Sequence, residues 1–98
     1  LQLKKIKLHF WQDPSGPEVD WVIDLGHIWV PIEVKLSQRP NQAMATHIET
    51  FLNEYPEKAK RGFIVCQTDV PALISKKHDI MAVPWRTFLS ETLDSLNV

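Results

Sequence analysis

The sequence predicts an α/β domain: a mixed sheet, made of an antiparallel meander plus a crossover strand, flanked by helices. Three features predict it. The first third of the chain alternates apolar and polar residues with the period of two that a half-buried strand requires. A later segment repeats apolar residues at helical spacing. "GFIVCQ" then forms the short, unbroken apolar run of a central strand covered on both faces.

In "KKIKLHFW", Lys4, Ile6, Leu8 and Phe10 alternate with Lys5, Lys7, His9 and Trp11, giving the first strand. The turn formers from Asp13 to Pro17 break it before "EVDWVIDL" begins the second. There Val19, Trp21, Ile23 and Leu25 point one way and Glu18, Asp20, Val22 and Asp24 the other. In the third strand Ile28, Val30, Ile32, Val34 and Leu36 form the apolar face and leave Trp29, Pro31, Glu33 and Lys35 opposite, which predicts a polar face. "SQRPN" ends this strand. Asn41 can cap a helix that carries Met44, Ile48, Phe51, Leu52 and Tyr55 on one stripe and stops near Pro56. The chain then crosses over to "GFIVCQ". A fifth strand follows in "IMAVPW", and Trp85, Phe88, Leu89, Leu93 and Leu96 mark one face of a C-terminal helix.

With 98 residues the chain holds one core and is read as a single domain, 1–98. Its 44% hydrophobic and 23% charged residues exclude a disordered chain, and no apolar run reaches membrane-spanning length. A formal net charge of −1 argues against holding nucleic acid by bulk electrostatics, which leaves local patches for that task. The single cysteine, Cys66, has no internal partner and no signal peptide precedes Leu1, so a reducing cytoplasm is the expected compartment. The chain opens at Leu1, without Met and directly into a strand pattern, and is therefore expected to be a fragment of a longer polypeptide.

The second and third strands carry the chemistry. Gly26-His27 fits a two-residue hairpin with Gly at the first central position of a type II′ turn. Leu25 then pairs with Ile28, Ile23 with Val30 and Trp21 with Ile32, a match that a one-residue slip would destroy. Counting outward places Asp20 opposite Glu33 and Glu18 opposite Lys35. Like charges directly opposite on a sheet repel by several tenths of a kcal/mol, so the Asp20–Glu33 pair requires a cause. A divalent cation supplies one, because carboxylates with a main-chain carbonyl and waters are the hard oxygen ligands of Mg²⁺ or Mn²⁺. Lys35, on the same side, could orient or deprotonate a water, or stabilise charge developing on a phosphoryl group. The expected chemistry is phosphodiester hydrolysis, with Asp20 and Glu33 as metal ligands, Lys35 as catalytic lysine and Glu18 as an auxiliary acid. A solvated, charged sheet face is the competing reading, since six Glu and eight Lys produce about half a Glu-x-Lys by chance.

Asp20 and Glu33-Val34-Lys35 resemble the PD-(D/E)XK nuclease superfamily, which places an Asp on the second core strand and Glu-x-Lys on the third. More narrowly, "EVDWVIDL", "VPIEVK", "FLNEYPEKAKRGFIVC" and "AVPW" look like the uncharacterised C-terminal domain carried by many bacterial and archaeal AAA-type ATPases, over about Phe10 to Phe88. The resemblance implies a restriction-endonuclease-like core, a Mg²⁺- or Mn²⁺-dependent nuclease acting on nucleic acid, and an upstream ATPase domain in the same chain. It also implies a further acidic residue from a helix before the first core strand, which this sequence begins too late to contain. Such folds outlive their catalysis, so the alternative is an inactive interaction module that docks or regulates the ATPase.

Other residues carry weaker signals. Gln42 and His47 could reach a phosphate from the helix, with packing the stronger reading for His47. His9, His27 and His78 show no zinc spacing, and Cys66 reads as core. The sets Lys4, Lys5, Lys7 and Lys58, Lys60, Arg61 could touch phosphates but read first as solvated surface. Trp11 and Trp29 could stack on bases or pack against the sheet.

Overall fold

The computed structural model describes residues 7–12, 14, 16, 18–75 and 77–88. In chain order these form β1 (Lys7–Gln12), β2 (Glu18–Asp24), β3 (Trp29–Val34), a 3₁₀ turn (Gln42–Ala45), α1 (Thr46–Glu54), β4 (Gly62–Cys66), β5 (Ala72–Ser75), β6 (Ile80–Pro84) and a helical turn, α2 (Trp85–Thr87). All six strands share one sheet in the order β1-β2-β3-β4-β6-β5. β1-β2-β3 is an antiparallel meander, β3, β4 and β6 run parallel, and β5 pairs antiparallel with β6 at the far edge. The architecture is thus α/β on a mixed sheet. No helix among the described residues is long and apolar enough to cross a membrane.

The hairpin forms in the register that its turn dictates. Leu25 N–H donates to the Ile28 carbonyl at 3.0 Å, and Gly26 takes a φ of +91°, a conformation open to glycine and strained for residues with a Cβ. Ile23 then pairs with Val30 and Trp21 with Ile32.

The crossover helix follows from equally local causes. The Asn41 side chain accepts from Met44 N–H at 3.3 Å and opens the 3₁₀ turn. Ile48, Phe51 and Leu52 recur three and four apart and bury one stripe, each contributing about 1.5–3 kcal/mol. Phe51 meets the Trp11 ring edge-on at 5.1 Å and the Tyr55 ring at 4.9 Å. Pro56 cannot donate a helical hydrogen bond, and α1 ends before it. Gly62 lets the helix settle onto the sheet, since a Cβ there would collide with Ile48 Cγ2 and press on Pro31.

Both faces of the sheet hold apolar clusters. Val19, Val22, Ile64 and Cys66 pack beneath α1, with Trp11 and Trp29 against them. Ile23, Val30, Ile32, Phe63, Val65 and Val83 form the second cluster, where the Phe88 ring stands 6.3 Å from Phe63.

Several expectations need correction. The first strand's supposed inner residues, Leu8 and Phe10, are 57% and 62% exposed, while Trp11 from the other side joins the core. Trp29, Pro31 and Glu33 do not form a polar, solvated face: α1 crosses over it, because a strand between two others in an α/β sheet is covered on both sides. A sixth strand, β5, adds to the five the sequence predicts; it is four residues long and pairs only at the edge. Lys4, Lys5, Ile6, Asp13, Pro17 and, in the expected C-terminal helix, Leu89, Leu93 and Leu96 lie outside the described residues.

Candidate functional site

A β-bulge builds the site. From His9 to Trp11, β1 advances two residues, while its partner β2 advances three, from Val22 to Val19. The extra residue falls at Asp20–Trp21, and it turns Val19 into the same cluster as Val22 in place of the strict alternation a regular strand keeps. It also ends the β2–β3 ladder at Trp21 and Ile32.

Beyond that point the carboxylates take over from the ladder. Alternation from Leu25/Ile28 through Trp21/Ile32 would next pair Val19 with Val34 by backbone hydrogen bonds. Val34 N–H donates to Asp20 Oδ2 at 2.8 Å instead, and Asp20 N–H donates to Glu33 Oε1 at 3.0 Å. Asp20 and Glu33 therefore come together, each accepting from the backbone of the opposite strand.

Their surroundings are unequal. Glu33, flanked by Ile64 of β4, is 3% exposed and is the buried charged residue of the core. Burial pushes its pKa up, the Asp20 N–H pulls it down, the Asp20 charge pushes it up again and Lys35 lowers it; burial prevails and the net direction is upward. Lys35 Nζ lies 3.5 Å from Glu33 Oε2, longer than a strong charge-assisted hydrogen bond, and its own side chain is 42% exposed. Its backbone is fixed by Lys35 N–H donating to the Val65 carbonyl at 2.9 Å.

Two carboxylates are hard oxygen donors, the kind a small divalent cation takes. Asp20 Oδ1 accepts no hydrogen bond among the described residues, and Glu33 Oε2 has only the Lys35 ammonium, so each carboxylate keeps an oxygen for coordination. Mg²⁺ commonly binds through one or two carboxylates, with waters and substrate phosphate completing its shell. Among the described residues no third His, Cys, Asp or Glu joins the pair.

Glu18 is not brought to the site. It is exposed, pairs across the sheet with Gln12, and no hydrogen bond or ion pair joins it to Lys35 among the described residues. The β2–β3 ladder ends at Trp21 and Ile32, so the count that brings Asp20 to Glu33 is not continued by strand pairing as far as Glu18. Gln42 is exposed and His47 half-buried, and neither bonds to Asp20, Glu33 or Lys35 among the described residues.

The remaining candidates have partners within the fold. Trp11 Nε1 donates to Tyr55 Oη at 3.2 Å and the Trp29 ring meets Tyr55 edge-on at 5.2 Å, so both pack against the helix, and both also line an open pocket of about 300 Å³. Lys58 Nζ donates to the Gly26 carbonyl and lies over the Trp29 ring, Lys60 Nζ donates to the Pro56 carbonyl, and Arg61 pairs with Asp79. His9 pairs with Asp24, His78 with Glu49, and Cys66 is buried.

Sequence reasoning missed Trp85. Its spacing from Phe88 assigns it to the inner stripe of a helix, yet it is 57% exposed and walls two adjoining grooves. One, about 320 Å³, runs past Lys35, Leu36 and Gln67; the other, about 570 Å³, past Gln38, Asp69 and Arg86. A bulky aromatic immediately after the proline that ends a strand was the available signal.

A family model described as "Domain of unknown function (DUF4143)" matches residues 1–88. No curated protein and no solved structure matches the chain.

Proposed function

Because the chain belongs to the DUF4143 family, whose description assigns no activity, we propose a function from the site itself: a nuclease-like domain that hydrolyses nucleic-acid phosphodiesters with Mg²⁺ or Mn²⁺. The observation that carries this reading is the convergence of two carboxylates and a lysine, Asp20, Glu33 and Lys35, at the bulge where β2 and β3 part. The same residues on the same two strands support a restriction-endonuclease-like core of the PD-(D/E)XK kind; attachment to an ATPase domain belongs to the same proposal and rests on the resemblance of the sequence blocks alone.

Asp20 and Glu33 would hold the cation. A bound divalent ion supplies Lewis-acid polarisation of the scissile phosphate and a more acidic coordinated water. Glu33 must be ionised for this task, and its burial makes the ionised form the harder one to reach without a positive partner. Lys35 is kept near the carboxylates by Glu33 while its side chain remains partly open, so its ammonium can neutralise charge developing on a phosphoryl oxygen or orient the attacking water. Glu18, exposed and apart, is left out of the mechanism.

One observation favours a second reading, an inactive interaction module of the ATPase. Both carboxylates already satisfy backbone N–H groups that the bulge has released, a structural role that needs no metal. Leu8 and Trp21 are exposed besides, on the sheet face opposite α1, and Phe10 is exposed on the edge strand. Cleavage of DNA and RNA by the full-length protein with Mn²⁺ separates the readings. Loss of activity in Asp20→Ala and in Lys35→Ala supports hydrolysis, and equal activity in all three proteins supports the module.

A further inference from the structure

We propose that the two grooves meeting at Trp85 form a track for an unpaired nucleic-acid strand, with the Trp85 indole as a platform for one base and Arg86 as a phosphate contact. The inference rests on the hydrolytic reading and names its substrate class, single-stranded rather than duplex nucleic acid.

Position gives the first argument. In an open sheet with parallel strands, ligands bind outside the carboxyl ends of those strands. Val34, Val65 and Val83 lie in one register across β3, β4 and β6, so Lys35, Cys66 and Pro84 leave the sheet at the same level. Two strand spacings, roughly 10 Å, separate the chain at Lys35 from the chain at Pro84-Trp85. A strand lying along the grooves would pass Lys35, the half-exposed member of the candidate site, and then meet Trp85 and Arg86; Asp20 and Glu33 line neither groove. Gln67 N–H donates to the Ser37 carbonyl at 2.8 Å, which ties the loop after β4 to the loop after β3 and fixes the floor between them.

Chemistry gives the second. A chain of formal net charge −1 has little bulk attraction for a polyanion, and Asp69 in the wider groove offsets part of what Arg86 and Lys35 offer. Neutral contacts must then supply much of the binding. A half-exposed indole stacks on any base, while Gln38 and Gln67 offer uncharged donors along the grooves. Bases in a duplex are already stacked on each other and present edges only, so Trp85 favours a strand whose bases are free.

The test is anisotropy of a fluorescein-labelled oligothymidylate with the full-length protein in EDTA, against a duplex of equal length. The wild type is expected to prefer the single strand. Trp85→Ala should weaken its binding about tenfold and leave duplex binding unchanged, with Trp85→Phe retaining most of the affinity. Arg86→Ala should weaken binding and lower the salt dependence by about one phosphate contact. Quenching of tryptophan emission by the oligonucleotide should occur in the wild type and be reduced in Trp85→Phe, a readout independent of whether Trp85→Ala folds. Preference for duplex, or equal affinity and equal quenching in wild type and Trp85→Phe with undiminished binding in Trp85→Ala, overturns the track. Strand binding that depends on Trp85 without Mn²⁺-dependent cleavage would leave the track standing and remove the hydrolytic reading. Cleavage that needs Asp20 but ignores Trp85 and strandedness would do the reverse.

Discussion

The two ends of the β2–β3 hairpin use the same device and arrive at opposite electrostatics. At the turn, Asp24 Oδ1 accepts from Gly26 N–H at 2.8 Å while Oδ2 lies 3.5 Å from His9 Nε2, and the Gly26 N–H holds the Asp24 pKa below the usual carboxylate range. At the open end, Glu33 also accepts a backbone N–H, yet burial beneath α1 outweighs it and pushes the pKa up. A carboxylate that caps a backbone group near solvent is content as an anion. One that does so inside the sheet, beside a second carboxylate, is not, and a cation is what would relieve it. Residue type therefore identifies neither site; depth within the sheet separates them.

The largest expected effect breaks or keeps that distinction outright. Asp20→Ala should lower Mn²⁺-dependent cleavage about a hundredfold or more, whereas Asp24→Ala, four residues along the same strand, should stay within about twofold. Equal losses in the two variants would show that the ends do not differ in function.

A smaller effect is the pH dependence of the open end. Because Glu33 must lose its proton to take a cation and its pKa is raised in the metal-free protein, Mn²⁺ affinity should climb with pH through a window above the usual carboxylate range. Lys35 lowers that pKa, so the window in Lys35→Met should have its midpoint at higher pH. A midpoint that stays in place would detach Lys35 from Glu33.

Stability should move in opposite directions at the two ends. Glu33 binds its proton more tightly folded than unfolded, so its contribution is full below the unfolded pKa and is lost as pH rises through the raised folded value. Glu33→Gln should accordingly raise the Tm of the metal-free protein by a few degrees at neutral pH and flatten its decline across that window. Asp24 has the reverse sign: its contribution is present above the unfolded pKa and is lost as pH falls through the lowered folded value. Asp24→Asn should destabilise at neutral pH by about 0.5 kcal/mol or less, since solvent reaches the group. Thermal melts over a pH series would read both, and like signs would contradict the comparison.

How much of this was legible in the sequence follows the same division. The hairpin register could be read because Gly26-His27 fixes the turn and the period of two fixes the pairing, and that alone sets Asp20 near Glu33. The bulge could not, because an extra residue in β2 exists only relative to β1; strict alternation therefore puts Val19 on the Trp21 side, whereas it packs with Val22, and Glu18 pairs with Gln12 instead of facing Lys35. The pattern of Trp29, Pro31 and Glu33 is that of a strand with a polar side, and only the path of α1 shows that this side is covered. β5 offered four residues, too few for a period, and Trp85 kept helical spacing while standing at the end of a strand.

The most direct measurement is a calorimetric Mn²⁺ titration of the wild type beside the double variant Asp20→Asn, Glu33→Gln, which keeps side-chain acceptors for both backbone N–H groups. Saturable binding to the wild type, absent from a folded double variant, is the predicted result. Equal Mn²⁺ affinity in the two proteins, or none in the wild type, would contradict a cation site at Asp20 and Glu33.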